Sequence, residues 1–344
     1  MKRSEINKAL KALAVQQISG GKMMDVVALG ELLIDFTCQS VDADGYPTMA
    51  AHPGGAPANF LAALAKFGAR TALLGKVGND TFGKLLADTL KKAGIGTNGL
   101  IVAEDVFTTL AFVTLDETGN REFSFARKPG ADTCIRFEEL NLSLIDEAKV
   151  FHFGTLSLTN EPARSATVQA VAYAKSRGKL ITYDPNLRKP LWRSMEEAKQ
   201  QMLWGLGQAD VVKISDEEVE FLFDLGVEEG ARHILEHFGV KLVFVTCGPD
   251  GCFFKNARAE GMVPSLQGIK VVDTTGAGDI FGGSAVWKLL QTGKLLEELN
   301  EAELREVVRF ACTAAGLSTT KFGGISSVPE YDKVISAFAC PSNK

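Results

Sequence analysis

The chain has 344 residues, 46% of them hydrophobic and 23% charged, with a formal net charge of −5. These figures suit a globular protein large enough to bury a full core, and they leave no basic footprint for nucleic acid or an anionic membrane. The six cysteines, at 38, 134, 247, 252, 312 and 340, form no Cys-x-x-Cys pair, which argues against a zinc ribbon and for reduced thiols in a cytoplasmic protein.

The first residues, MKRSEINKALKALAVQQISGGKMM, are basic but lack the apolar core and cleavage site of a secretory signal. Residues 1–24 are read as a disordered extension and 25–338 as the folded unit. No later run is long and apolar enough to span a membrane. DVVALGELLIDF reads as strand, glycine turn and second strand; Pro57 to Phe67 reads as a helix with proline in its first turn and Gly68 at its end. TALLGKVG follows as a strand and TFGKLLADTLKKAG as a helix.

TTLAFVTLDETGNREFSFAR, residues 108–127, breaks the pattern, placing two strands around a hairpin turn. Beyond it, VFHFG, KLITYDPN, DVVKIS and KLVFVTCG alternate with helical stretches, including one near 195–206. The expected fold is therefore α/β, a mostly parallel sheet flanked by helices, with ligands beyond the carboxyl ends of its strands. Strands drawn from about 31–53 and 106–128 cannot easily join that sheet and are expected to form a small β-sheet lid.

The chemistry concentrates in VVDTTGAGDIFGGSAVWKLLQTG. Val271-Val272 are read as a strand end, followed by a glycine-rich turn and a helix from about Gly278 to Gly293. Gly276, Ala277 and Gly278 let backbone amides converge at a helix start, a setting suited to a transferring phosphoryl group. Asp279, in the first helical turn, is placed to accept a substrate hydroxyl proton. Two decoys are set aside. Gly78 to Lys84 imitates a P-loop, but Leu85 stands where a magnesium-binding hydroxyl is needed. Phe281 replaces the third glycine of a dinucleotide fingerprint. His233 and His237, one turn apart, lack a third metal ligand and read as a solvated helix face.

Asp-Thr-Thr-Gly-Ala-Gly-Asp-Ile-Phe-Gly-Gly, together with Gly54-Gly-Ala-Pro-Ala-Asn59 and Gly75-Lys-Val-Gly-Asn-Asp80-Thr-Phe-Gly83, resembles the paired signatures of the ribokinase-like (PfkB-type) carbohydrate kinases. The resemblance runs from residue 25 to about 335 and implies ATP and Mg2+, with K+ as a further candidate. It implies that Asp35, Gly54, Gly55 and Asn59 line the sugar site. Asp35 already stands out as a carboxylate on an apolar strand, costly unless paired or ligand-bound. Arg127-Lys-Pro-Gly-Ala-Asp132 resembles the fructokinase branch, with Arg127 reaching the sugar from the lid. Asp184-Pro-Asn186-Leu-Arg188 suits fructokinases and keto-deoxy-gluconate kinases alike, with Asn186 holding the site and Arg188 assisting at the phosphates.

For the nucleotide, the resemblance points to Thr246, Gly248 and Gly251, and Lys213 is placed to reach the phosphates. Where the family carries Asn-x-x-Glu for its metal, this chain has Ser215-Asp-Glu-Glu218, so only Glu218 matches. Asp273, Thr275, Gly323 and Ser327 are the candidate positions for a monovalent cation. The expected reaction is phosphorylation of fructose to fructose 6-phosphate. The rivals are a 2-keto-3-deoxygluconate or other sugar-acid kinase, and a sugar-binding regulator without turnover. The apolar lid residues Leu110, Phe112, Phe123 and Phe125 offer either a homodimer face or an internal packing face.

Overall fold

The computed structural model describes residues 24–115 and 121–339. Its main sheet has ten strands: β1 (Met24–Leu29), β4 (Thr71–Gly78), β5 (Ile95–Gly96), β6 (Leu100–Ala103), β9 (Ala148–Gly154), β10 (Leu180–Asp184), β11 (Val211–Ser215), β12 (Leu242–Thr246), β13 (Cys252–Asn256) and β14 (Glu260–Val263). Their order is β14-β13-β12-β11-β10-β9-β1-β4-β5, with β6 also beside β4. Pairing is parallel from β12 through β11, β10, β9 and β1 to β4, and antiparallel between β12, β13 and β14. Val26 to Leu29 are fully buried, as expected of a central strand covered by helices on both faces.

The four remaining strands form the second sheet. β2 (Leu33–Val41), β3 (Pro47–Gly54), β7 (Leu110–Leu115) and β8 (Arg121–Ala126) lie in the order β3-β2-β7-β8, and β2 pairs with β7 in parallel. This is the small sheet expected from 31–53 and 106–128. Its apolar face is used from within: Phe112 stacks on Phe36 at 5.3 Å, and Phe36 meets Phe82 edge-on at 5.6 Å. The side chain of Phe123 lies outside the described residues, as does the expected extension, apart from Met24, which opens β1.

Two glycines decide how the halves of the chain meet. The helix Ala56–Lys66 packs on the helix Ala277–Thr292 so closely that a Cβ on Gly283 would lie 2.2 Å from the Phe60 carbonyl oxygen. A Cβ on Gly282 would touch the Phe60 ring at 3.4 Å. Gly283 therefore sets a backbone-to-backbone approach that a side chain would disrupt, while Gly282 lies against the Phe60 ring.

One expected element is absent. Val271 and Val272 are not strand residues; they are 56% and 42% exposed, and the amides of Val272 and Asp273 both donate to the Thr319 carbonyl. Their β-branched chemistry suggests a strand, but the partner here is the end of the helix Glu301–Ser318, not a sheet edge. The P-loop imitation closes on its own chain: Asp80 accepts from Phe82 N, Gly83 N and Thr108 N. His233 and His237 stack at 4.1 Å on the helix Val227–Phe238. The five described cysteines are all unpaired, and no helix among the described residues is long and apolar enough to cross a membrane.

Candidate active site

Two cavities meet at the turn that starts the helix Ala277–Thr292. The smaller, of about 140 Å³, is lined by Glu31 and Asp35, by Asn59, by Asn186 and Arg188, and by Gly276 and Asp279. The lid closes it with Thr37, Val113 and Phe125. The larger, of about 520 Å³, is walled by Thr246, Gly248, Gly251, Leu266, Phe281 and Cys312, among others. Thr274 borders both.

The turn itself requires glycine. Gly276 is the helix N-cap with φ 75°, and no side chain caps the first turn. A Cβ on Gly278 would lie 2.9 Å from Lys213 Nζ. The amides of that turn and the positive end of the helix are thus left to face a ligand.

Asp279 is 8% exposed, and its Oδ2 accepts from Asn59 Nδ2 at 2.9 Å. Burial pushes its carboxyl above the ordinary carboxylate range; the Asn59 bond, Lys213 and Arg188 pull it back, and Glu218 adds to the rise. The closeness of the two helices brings Asn59 across 220 residues of sequence to this carboxylate.

Beneath Asp279 lies a buried charge layer on the strand ends. Lys213 Nζ sits 3.1 Å from Asp184 Oδ2. Burial works against the Lys213 charge, but Asp184, Glu218 and Asp279 outweigh it and raise its pKa. Burial likewise pushes Asp184 up, to about 7, against the pull of Lys213. Of these two opposed tendencies we stand behind the Lys213 cation, since three carboxylates surround it. His152, stacked on Phe60 with ring centroids 3.7 Å apart, is held neutral by burial and by the Lys213 charge, its pKa lowered to about 3.

Several expected positions converge and others do not. Asp35, Gly55, Asn59, Asn186 and Arg188 face the small cavity. Gly54 serves it indirectly, since a Cβ there would lie 2.3 Å from Asp35 Oδ2. Asn186 adopts φ 48°, a left-handed conformation that asparagine tolerates, and this turns the chain toward Arg188. Thr246, Gly248 and Gly251 face the large cavity.

Arg127 does not face the small cavity. It is 5% exposed and spends its guanidinium on Asp132 Oδ2, Thr159 Oγ1 and the Leu156 carbonyl, so it braces the cavity wall from behind. Lys213 lines neither cavity, because its ammonium is taken by Asp184 under Gly278. Glu218 is also committed: its oxygens accept from Leu187 N at 2.7 Å and Ser215 N at 2.9 Å, while Ser215 Oγ accepts from Glu218 N. Ser215 and Glu218 thus form a capping box that ties the Asn186–Arg188 loop to β11.

The four cation candidates lie close together. Asp273 accepts from Thr275 N, Thr275 Oγ1 and Gly323 N, and Ser327 bonds the neighbouring Gly324 carbonyl. Two sets of residues were not anticipated. Glu31 carries the same sign as Asp35, a carboxylate in an apolar run. Cys312, Ala315, Gly316 and Thr319 form a stripe of small residues at helical spacing along one wall of the large cavity.

The comparisons with known proteins bear directly on this arrangement. Residues 23–331 match the model of the pfkB family of carbohydrate kinases. The chain belongs to that family. It is a carbohydrate kinase, and the resemblance read from the two glycine-rich signatures is borne out. Probable fructokinase-3 of Arabidopsis thaliana is 44% identical over 314 residues, covering 90% of each chain. Fructokinase-2 of Solanum lycopersicum is 43% identical, over 90% of this chain and 94% of its own. Among solved structures, fructokinase from Xylella fastidiosa with bound ATP superposes with a TM-score of 0.84 at 30% identity, over 91% of this chain and 97% of its own. Fructokinase from Vibrio cholerae O395, with fructose, ADP and calcium bound, gives 0.82 at 31%, over 92% of this chain and all of its own. The fructokinase branch indicated by residues 127–132 agrees with these neighbours.

Proposed function

We propose that this kinase transfers the γ-phosphoryl group of ATP to fructose, giving fructose 6-phosphate and ADP. The observation that carries the reading is the position of Asp279, which lines the small polar cavity in the same helical turn whose Ala277 and Gly278 line the larger, more apolar one. The sugar occupies the first, held by Asp35 and Asn59, and the nucleotide occupies the second. As the sugar oxygen bonds to phosphorus and the bond to the ADP oxygen breaks, Asp279 takes the hydroxyl proton. The amides around Gly276–Gly278 and the Arg188 guanidinium stabilise charge on the phosphoryl oxygens.

Magnesium, when bound with ATP, would neutralise phosphate charge. The donor set fits a hard cation, with carboxylate oxygens at Asp184 and Glu218, and Glu218 is the residue that would hold it, through water. No three His, Cys, Asp or Glu side chains form a metal cluster among the described residues. The two loops that carry Asp273 and Thr275 and Gly323 and Ser327, joined by the Gly323 N to Asp273 bond, are our candidate for a potassium site, through their carbonyl oxygens. Any pairing of two copies through the lid would use the edge strands β3 and β8, since Phe36, Phe82 and Phe112 pack together within one chain. Unpaired thiols suit a cytoplasmic setting.

A sugar acid fits the small cavity less well. Its lining carries three acids, Glu31, Asp35 and Asp279, against Arg188 as the cation. The deciding experiment is ADP release with Mg-ATP against fructose, ribose, tagatose, keto-deoxy-gluconate and adenosine, each with and without potassium. Selective turnover of fructose is expected. Preference for another sugar would overturn the substrate, and binding without turnover would favour a regulator.

A further inference from the structure

Glu31 follows the first strand at Gly30-Glu31-Leu32 and is 2% exposed, yet it lines the small cavity beside Asp35 and Asn59. Its Oε1 accepts from the amide of Ala56 at 2.9 Å, the opening residue of the helix Ala56–Lys66. That helix has Gly55 as its N-cap, with φ 114° and no capping side chain, so Glu31 supplies the cap from another part of the chain. A cap alone would not place a carboxylate in the lining of a ligand cavity.

The chemistry of the cavity gives the second part of the argument. Each sugar hydroxyl is one donor and an acceptor with two lone pairs. Asp35 and Asp279, when ionised, only accept. Three ionised acids would accept from the hydroxyl hydrogens but donate nothing to their oxygens, leaving that to Asn186, Arg188 and the turn at Gly276, and would carry excess negative charge where phosphoryl groups arrive. A protonated carboxyl adds a donor and lessens that charge.

We propose that Glu31 is a sugar-binding residue that works in its protonated form, donating to a substrate hydroxyl while its other oxygen holds the Ala56 amide. The inference rests on reading this cavity as the sugar site. The groups facing Glu31 are consistent with it. Burial pushes its carboxyl up, to about 7; its own amide and that of Ala56 pull it down, Asp132 pushes it further up, and Arg127 opposes that. Arg127 and Asp132 neutralise each other through a 2.7 Å ion pair. Asp35, Asp279 and Arg188 share the cavity lining. Raising the pH through about 7 ionises Glu31, so sugar binding weakens toward alkaline pH, or must take up a proton to proceed.

The test is a calorimetric titration of sugar into the wild-type protein without nucleotide, at pH 6 and pH 8, in buffers of differing ionisation enthalpy. The ligand is whichever sugar of the turnover panel binds most tightly, so a sugar other than fructose would overturn the preceding reading and still test this one. About one proton is expected to be taken up per sugar at pH 8, and almost none at pH 6. Glu31→Gln keeps a donor and an acceptor but cannot ionise. It should abolish the uptake and flatten the rise in sugar KM, which in wild type approaches roughly tenfold per pH unit above neutrality. The KM for ATP should not follow that rise. Absence of uptake at pH 8, uptake that survives Glu31→Gln, or failure of every sugar to bind would overturn the proposal. A Glu31 that merely caps the helix would alter stability and move neither proton uptake nor the pH dependence of KM.

Discussion

The two cavities are built on different principles. The small one is assembled from charged and amide side chains brought from four separate stretches of chain, several of them held by a specific bond or close approach. The large one is a space left by small residues, Ala315, Gly316 and Thr319, beside a loop carrying Leu266 and Ile269. Chemistry demands defined groups at defined places; holding a flat, mostly apolar ligand demands chiefly room. Substitutions should therefore act on rate in the first cavity and on nucleotide affinity in the second.

The strongest test of that division is Asp279→Asn, which should lower kcat by roughly 10²- to 10⁴-fold while sugar binding persists. In the wild type, kcat should fall as the pH drops, because protonated Asp279 cannot accept a proton. Burial raises its pKa, so this limb lies above the ordinary carboxylate range. Near-normal turnover by the variant would remove Asp279 from its role. Next is Lys213→Met, which leaves the buried Asp184 carboxylate without its partner. A loss of about 3–5 kcal/mol in unfolding stability is expected by denaturant titration. A loss under 1 kcal/mol would mean that Asp184 is carried as a neutral acid. The smallest effect is expected from Gly316→Leu, since even a Cβ there would lie 2.7 Å from the Leu266 Cβ. The KM for ATP should rise about tenfold through lost fit in the pocket, with sugar KM little changed. A matching change in sugar KM would erase the distinction between the cavities.

The same distinction explains what the sequence disclosed. Asp279, Asn59 and Asp35 were legible because glycine-rich turns and an acid in an apolar strand are locally unusual. The alternation of strands and helices, and the hairpin that joins the lid, were legible from periodicity. The placement of Arg127 was not legible, because its local motif is identical whether the guanidinium points into the cavity or back to Asp132, Thr159 and Leu156. The ion pair of Lys213 was not legible for a related reason: Asp184, its partner, lies 29 residues away on the neighbouring strand. Glu218, the carboxylate expected near the metal, also receives two backbone amides, a use that its local sequence does not announce. The stripe from Cys312 to Thr319 reads as ordinary helix packing until the helix is known to border a space. Val271 and Val272 carried a strand pattern, yet a helix end supplied their hydrogen-bond acceptor.

The contact between Gly283 and the Phe60 carbonyl gives the site an unusual kind of gauge. Gly283 stands one helical turn along from Asp279, and Phe60 adjoins Asn59. With no side chain between Gly283 and the Phe60 carbonyl, two peptide rods in direct touch at that point set the separation of the backbones that carry Asn59 and Asp279. A single methyl group at position 283 would act as a wedge, altering the alignment of the reacting groups while every residue lining either cavity kept its identity.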